Sequence, residues 1–126
     1  MLDIRREYYY WNRNIKEECY FLDGKRHRED GPAIITYYPN GNIKIELYYI
    51  NGKPHREDIP AKIWYYENGN IEQEEYWIDG RCHNESGAAA IEYNENGNIE
   101  KEYYFINSKQ ITDDLQIMVM KGLNKK

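Results

Sequence analysis

The sequence predicts an all-β protein: a single-layer array of about four antiparallel β-hairpin repeats of 28 residues, with a short C-terminal helical cap. The first observation behind this prediction is a set of markers that recur at a constant spacing. They are His27, His55 and His83; Gly24, Gly52 and Gly80; Asn40, Asn68 and Asn96; and Ile15, Ile43, Ile71 and Ile99. The second is an Asn-Gly pair between two strand-like runs in three of the copies. Repeats of this length are typical of arrays in which one unit cannot bury an apolar face alone.

The turn of each hairpin is defined best in the second unit, as Tyr38-Pro39-Asn40-Gly41-Asn42. Because proline restricts φ to about −65°, Pro39 suits the first central position of a type I turn, with Gly41 left-handed in a three-residue loop. This register predicts three facing pairs, which are Tyr37 with Ile43, Ile35 with Ile45, and Ala33 with Leu47. Odd-numbered positions from 33 to 49 would then share one apolar face.

The first unit differs from the others at its turn. Its Tyr8-Tyr9-Tyr10-Trp11 run aligns with residues 36–39, and Arg13 replaces the turn glycine. A positive φ at an arginine costs about 1 kcal/mol relative to glycine. We therefore expect the array to fray at this end, before a strand over residues 15–22.

The connectors Gly24–Pro32, Gly52–Pro60 and Gly80–Ala88 are rich in glycine, proline and charge, which predicts loops between hairpins. From Ile111 the repeat pattern is lost. Asp113 or Asp114 could cap a short helix that ends near Gly122, whereas a final strand over residues 115–120 is the alternative. The helix would carry Leu115, Met118, Val119 and Leu123 on one face. Residues 1–110 would form the array, and residues 111–126 a capping segment with a basic tail that covers the last hairpin's edge.

The tyrosine-rich hairpins and two connector motifs resemble the MORN repeat family, in the variant branch found in bacterial and viral proteins. The motifs are Asp-Gly-Lys-Arg-His-Arg-Glu-Asp-Gly-Pro-Ala at residues 23–33 and Asn-Gly-Lys-Pro-His-Arg-Glu-Asp at residues 51–58. The resemblance covers about residues 7–110 and implies a scaffold that binds proteins or membranes; some bacterial members carry an antitoxin label. The chain departs from the pattern at Arg13, Ile59, Ser108 and residues 111–115, which resembles capping of the two ends.

The composition and the lack of long apolar segments predict the cellular compartment of the protein. The 126 residues include neither an apolar run after a basic start nor a long apolar span, so no signal peptide or transmembrane helix is predicted. Cys19 and Cys82 lack Cys-x-x-Cys spacing, which favours a reducing compartment. We expect a cytoplasmic protein.

The three histidines raise the question of a metal site. Equivalent histidines on successive hairpins would lie roughly 10 Å apart, whereas metal–ligand distances are near 2 Å. The expected role is a hydrogen bond to connector backbone or to a nearby acid, although isolated His-Arg-Glu-Asp sites remain open. With no nucleophile elbow and no phosphate-binding loop, we predict no catalytic residue, no cofactor and no metal site.

The net negative charge is concentrated in the second half of the chain. Residues 64–102 contain 10 acidic residues against Arg81 and Lys101 alone. The predicted register places Glu92 opposite Glu100 and Glu102 opposite Ala90, with acids of the preceding hairpin extending the band. The partner-binding residues predicted on this face are Tyr38, Trp64, Tyr66, Glu72, Glu74, Glu92, Glu100 and Glu102. The alternative is that this face is an ordinary solvent-exposed surface with no binding role.

The predicted partner is a basic protein, because opposite potentials speed encounter and select partners. The hypothesis is a non-enzymatic module that docks on and inhibits a nucleic-acid-handling protein, in the manner of an antitoxin or a phage anti-defence inhibitor. Direct nucleic-acid binding and membrane binding are not expected of an acidic chain. The alternative is a structural scaffold of the MORN type that self-associates or associates with membranes.

Overall fold

The computed structural model describes residues 2–122, which form short strands followed by one helix. The strands are β1 (Leu2–Tyr8), β2 (Ile15–Leu22), β3 (Lys25–Arg26), β4 (Ile34–Tyr37), β5 (Ile43–Leu47), β6 (Tyr49–Ile50), β7 (Lys53–Pro54), β8 (Lys62–Tyr65), β9 (Ile71–Glu75), β10 (Trp77–Ile78), β11 (Arg81–Cys82), β12 (Ala90–Tyr93), β13 (Ile99–Ile106) and β14 (Lys109–Ile111). The helix is α1 (Asp114–Lys121).

The long hairpins β1–β2, β4–β5, β8–β9 and β12–β13 join edge to edge into one antiparallel sheet. Strand β14 extends it beside β13, and β3 pairs with β2. The short pairs β6–β7 and β10–β11 stand off the main sheet. The predicted fold class, an all-β array of four hairpins with a helix at its end, is confirmed.

The turn predicted from Pro39 and Gly41 is confirmed. Gly41 has φ of 93° and donates its N–H to the Tyr38 carbonyl at 2.9 Å. Tyr38 donates to the Asn42 carbonyl at 2.8 Å, which closes a three-residue loop. Neighbouring turns are tied together by side-chain amides, since Asn42 Nδ2 donates to the carbonyl of Glu67 at 3.0 Å. Repeats therefore contact each other through their turns as well as through the sheet.

Beyond the turn, the predicted register is wrong after its first pair. Tyr37 faces Ile43 as expected, but Thr36 faces Ile45 and Ile35 faces Glu46. Lys44 has no facing residue, because it is the extra residue of a β-bulge, which shifts the alternation by one position. Ile35 therefore does not face Ile45, and Ala33 does not face Leu47, whose facing residue is Ile34. The same irregularity recurs in the other three hairpins, at Lys16, Glu72 and Glu100.

The first hairpin has one more turn residue than the others. Tyr9 donates to the Asn14 carbonyl at 2.8 Å, which encloses four residues where the second hairpin encloses three. Tyr9, not Tyr10, is thus the counterpart of Tyr38, and the alignment of Tyr8–Trp11 with residues 36–39 is wrong by one position. Arg13 does take the predicted positive φ, at 60°.

The connectors begin with a second, short hairpin that the sequence analysis assigned to loop. Its two-residue turn has positive φ at both central positions, for example 49° at Asn51 and 82° at Gly52. This is the type I′ geometry that Asn-Gly and Asp-Gly favour. The equivalent turns are Asp23-Gly24, Asp79-Gly80 and Asn107-Ser108. Each repeat therefore contains two hairpins.

The most buried positions form a row of alanines. Ala33, Ala61 and Ala89 each have 0% of their surface exposed. Each hydrogen-bonds both neighbouring repeat segments; Ala61, for example, donates to Glu75 and accepts from Tyr48, both at 2.8 Å. Because backbone approaches these residues on both sides, a small side chain fits best at this position.

The C-terminal segment forms the predicted helix rather than the alternative strand. Asp113 is the N-cap and accepts from the N–H groups of Leu115 and Gln116, while Gly122 ends the helix with φ of 75°. No residue of α1 is buried. The edge of β13 is covered by β14 over Tyr104–Ile106. Leu123 and the Lys125-Lys126 tail lie outside the described residues, and within residues 2–122 no helix has the length and apolarity to cross a membrane.

Candidate functional site

The predicted partner-binding residues divide between the two faces of the sheet. Gln73 of β9 is paired with Trp64 on one neighbouring strand and with Glu92 on the other. All three side chains therefore lie on the same side of the sheet. Glu74 lies on the opposite face, where it pairs with Ile63 and Ile91. Glu102 also pairs with Ile91 and joins Glu74 there. The single acidic band predicted for this surface is therefore wrong, because each bulge exchanges the faces of the residues that follow it.

The predicted facing pair of Glu92 and Glu100 is also wrong. Glu92 faces Lys101, not Glu100, and Ala90 faces Tyr103, not Glu102. Glu100 is the bulge residue of this hairpin and has no facing partner in β12. Opposite charges directly across a strand pair are favourable, whereas like charges are not.

Several of the remaining residues do lie together around Tyr66. Its pKa is raised by partial desolvation and by the negative charges of nearby glutamates, namely Glu72, Glu100, Glu95 and Glu92. The pKa of Tyr38 is raised by desolvation and then by Glu72 and Glu67. The predicted partner-binding residues other than Glu74 and Glu102 are named the acidic–aromatic patch: Tyr38, Trp64, Tyr66, Glu72, Glu92 and Glu100. Glu67 and Glu95 lie beside it.

The aromatic residues of this patch also hold repeats together. The Tyr38 hydroxyl donates to the Tyr65 carbonyl at 2.6 Å, and the Tyr66 hydroxyl donates to the Tyr93 carbonyl at 2.7 Å. Both tyrosines and Trp64 are half-buried, so part of each ring remains accessible. Rings held rigidly in this way lose little freedom on binding, as anchors of an interface require.

On the opposite face, tyrosines and glutamates form a ladder between repeats. Tyr37 donates to Glu18 at 2.9 Å, Tyr65 donates to Glu46, and Tyr93 donates to Glu74. The glutamates recur with the 28-residue period, but the sequence analysis did not pair them with tyrosines, because the β-bulge places the two residue types on the same face. We name these three pairs the tyrosine–glutamate ladder.

The two ends of the ladder are completed by cations. Arg6 donates to Glu18 at 2.7 Å, and Lys121 of α1 lies 3.7 Å from Glu102, the glutamate that has no following repeat. Burial raises the pKa of Glu18, but the hydrogen bonds from Arg6 and Tyr37 outweigh it, so the net pKa lies below its usual value. These carboxylates are structural groups.

Comparison with protein families matches three segments of the chain to the MORN repeat variant: residues 34–51, 62–79 and 88–107. Each segment begins at or just before a long hairpin and extends beyond it into the short one. The chain belongs to the MORN repeat variant family. No curated protein and no solved structure matches it. The first hairpin, with its longer turn, lies outside the matched segments. MORN repeats form modules that bind or scaffold other proteins.

The histidines of the MORN repeats have the structural role predicted for them. His27 Nδ1 accepts from the Asn51 N–H at 2.9 Å, which ties one repeat to the short hairpin of the next. His55 and His83 make the same bond to Asp79 and Asn107. His27 Nε2 also lies 3.2 Å from Glu29, the nearby acid that was expected.

The two cysteines of the MORN array have no activating environment. Burial raises the pKa of Cys82 to about 11, with a further contribution from Glu75. Burial and the adjacent Glu17 raise the pKa of Cys19 to about 11 as well. Both thiols therefore stay protonated near neutral pH, whereas a nucleophilic cysteine needs a lowered pKa.

Proposed function

We propose that this MORN array is a non-enzymatic protein-binding module whose acidic–aromatic patch docks on a basic protein. The observation that carries the proposal is the group of carboxylates around the half-buried ring of Tyr66. Trp64 and Tyr38 supply further aromatic surface beside them. Aromatic anchors surrounded by charge are a combination that protein interfaces favour.

The sign of the patch is set by the bulge positions. The bulge residue is Lys16 in the first hairpin and Lys44 in the second, but Glu72 in the third and Glu100 in the fourth. Because the backbone is equivalent at all four positions, the exchange of lysine for glutamate changes the surface potential without changing the fold. Such a gradient of charge would orient the array on an oppositely charged partner.

The partner that we propose is a nucleic-acid-handling protein. Its phosphate-binding surface would be basic, and a rigid group of carboxylates could occupy it in place of phosphates. Binding would then exclude nucleic acid and inhibit the partner, as an antitoxin-like or phage-type anti-defence inhibitor would.

The test is affinity capture from lysate of the source cell at low and high salt, with identification by mass spectrometry. The decisive variant carries Glu72→Lys and Glu100→Lys, which introduce the residue that the first two hairpins have at the same position. We expect this variant to lose a basic partner that the unmodified protein captures at low salt. Purified partner would then be tested for inhibition of its nucleic-acid binding.

The matched control carries Asp3→Lys and Glu7→Lys, an equal change of charge on the exposed strand β1. It should retain the partner. Capture that survives both the Glu72→Lys, Glu100→Lys variant and Trp64→Ala would show that the acidic–aromatic patch is not the interface.

A further inference from the structure

Within the described part of the chain, the ring of Tyr76 lacks the cation that covers the equivalent rings of Tyr20, Tyr48 and Tyr104. The Arg28 guanidinium lies 4.0 Å from the centre of the Tyr20 ring, and the Arg56 guanidinium lies 3.8 Å from that of Tyr48. In the fourth repeat Lys121 lies 5.6 Å from Tyr104. Among residues 2–122, the third ring of the series, Tyr76, has no cation over it.

The cause is a single substitution, since Asn84 occupies the position of Arg28 and Arg56. Asn84 retains the arginine's hydrogen bond to the connector backbone. Arg56 Nη1 donates to the Pro60 carbonyl at 3.1 Å, and Asn84 Nδ2 donates to the equivalent Ala88 carbonyl at 2.9 Å. The shorter side chain keeps the connector in shape but does not cover the ring.

The space left by the missing guanidinium is open. A Cβ built on Gly31 would lie 3.0 Å from Arg28 Cζ, whereas one built on the equivalent Gly87 would have Asn84 Nδ2 as its nearest atom, at 4.0 Å. A cleft of about 510 Å³ lies here, bordered by Tyr76, Asn84 and two acids, Asp58 and Glu85. The equivalent cleft one repeat earlier, where Arg56 lies beside Tyr48, has about 460 Å³, so the Tyr76 cleft is larger by roughly the difference between the two side chains.

The charges around the Tyr76 cleft favour a cation. Asp58 and Glu85 line it, and Glu74 is close enough to raise the pKa of Tyr76, after the larger effect of burial. Arg56 also borders the cleft, but its guanidinium stacks on the Tyr48 ring and donates to the Pro60 carbonyl. Aromatic faces attract guanidinium groups, and this attraction strengthens when the site is partly desolvated.

We propose that the Tyr76 cleft binds the guanidinium group of an arginine side chain from a partner polypeptide, which stacks on Tyr76 where Asn84 has replaced the chain's own arginine. An arginine fits better than a lysine, because its planar group can stack on the ring while donating to carboxylates at its edge. The proposal does not rest on the acidic–aromatic patch. Tyr76 follows Glu75 at the far end of β9 from the turn beside Tyr66, so either site could fail without the other.

The test is a titration with the capped tripeptide acetyl-Gly-Arg-Gly-amide, followed by NMR shifts of the Tyr76 ring and of neighbouring amides. We expect saturable shifts centred on Tyr76, Asn84 and Glu85, with millimolar affinity as is usual for a single side chain. The same tripeptide with citrulline in place of arginine has the same shape without the charge. It should bind at least about tenfold more weakly.

Two variants test whether the residue at the position of Asn84 and Arg56 decides which tyrosine ring binds the peptide. Asn84→Arg supplies the arginine that the first two repeats already have, so it should fold normally and abolish the shifts at Tyr76. Arg56→Asn should uncover Tyr48 and create a second binding site there. Absence of saturable shifts at Tyr76, equal binding of the citrulline peptide, or undiminished binding to Asn84→Arg would overturn the proposal. Tighter binding of free arginine than of the capped peptide would overturn its assignment to a polypeptide.

Discussion

At the scale of single residues, the tyrosine–glutamate ladder shows how polar side chains can stabilise a sheet with a small apolar core. Burial and the hydrogen bond to Glu46 raise the pKa of Tyr65. The phenol thus stays protonated and donates to a carboxylate at neutral pH. A hydrogen bond to a charged group contributes more than one between neutral groups, and its loss leaves the carboxylate without a donor.

We therefore expect Tyr65→Phe to lower the free energy of unfolding by about 1–2 kcal/mol, measured by denaturant titration. The control is Tyr10→Phe, since Tyr10 is 96% exposed and its substitution should change stability by less than about 0.5 kcal/mol. Equal effects of the two changes would show that the ladder contributes nothing to stability.

At the scale of elements, α1 is a well-capped helix that buries none of its side chains. Leu115 and Val119 are 68% and 51% exposed, so the helix does not seal the last hairpin with its apolar face. Lys121 links the helix to the sheet, because it contacts Glu102 and lies over the Tyr104 ring. The stability of α1 therefore depends largely on its own caps.

We expect Asp113→Ala to destabilise α1 by about 1 kcal/mol, because the N–H groups of Leu115 and Gln116 lose their acceptor. Amide hydrogen exchange of residues 115–118 should accelerate while exchange in the sheet stays unchanged. Gln116→Ala is a control in the same turn that keeps the cap. If Asp113→Ala lowered the melting temperature of the whole protein, α1 would be coupled to the array more tightly than its exposure indicates.

At the scale of the whole molecule, β1 forms one edge of the sheet, since it pairs with β2 and, within residues 2–122, with no other strand. All seven of its residues are exposed, and Asp3 and Arg5 place opposite charges along this edge. Charged side chains on an edge strand oppose pairing with another molecule. We therefore expect β1 to resist edge-to-edge pairing between copies of the chain.

We expect the unmodified protein to elute as a monomer at micromolar concentration, and a variant with Asp3→Val and Arg5→Val to form dimers or larger species. Light scattering after size-exclusion chromatography would measure both. A control with Lys53→Val and Glu57→Val removes two exposed charges away from this edge and should stay monomeric. A concentration-dependent oligomer of the unmodified protein would instead support the scaffold.

Much of the array could be predicted from sequence because its signals are local. The 28-residue spacing, the turn at Pro39 and Gly41, and the helix between Asp113 and Gly122 depend on φ preferences and hydrogen bonds within a few residues. The bulges were missed because a bulge is defined by the facing strand and leaves no residue of fixed type; its position holds lysine in two hairpins and glutamate in two. One missed bulge per hairpin was enough to assign Glu74 and Glu102 to the wrong face.

The repeat, its period, its turns and its C-terminal helix could be predicted from the sequence, since each follows from short-range backbone chemistry. The tertiary structure decided which side chains meet. Pairing between strands placed Glu46 beside Tyr65 and brought Glu72, Glu92 and Glu100 around Tyr66. The packing of successive repeats showed that, within residues 2–122, Tyr76 lacks the cation that covers the equivalent rings of Tyr20, Tyr48 and Tyr104. Surfaces and clefts arise from contacts between residues distant in the chain, which periodicity alone does not specify.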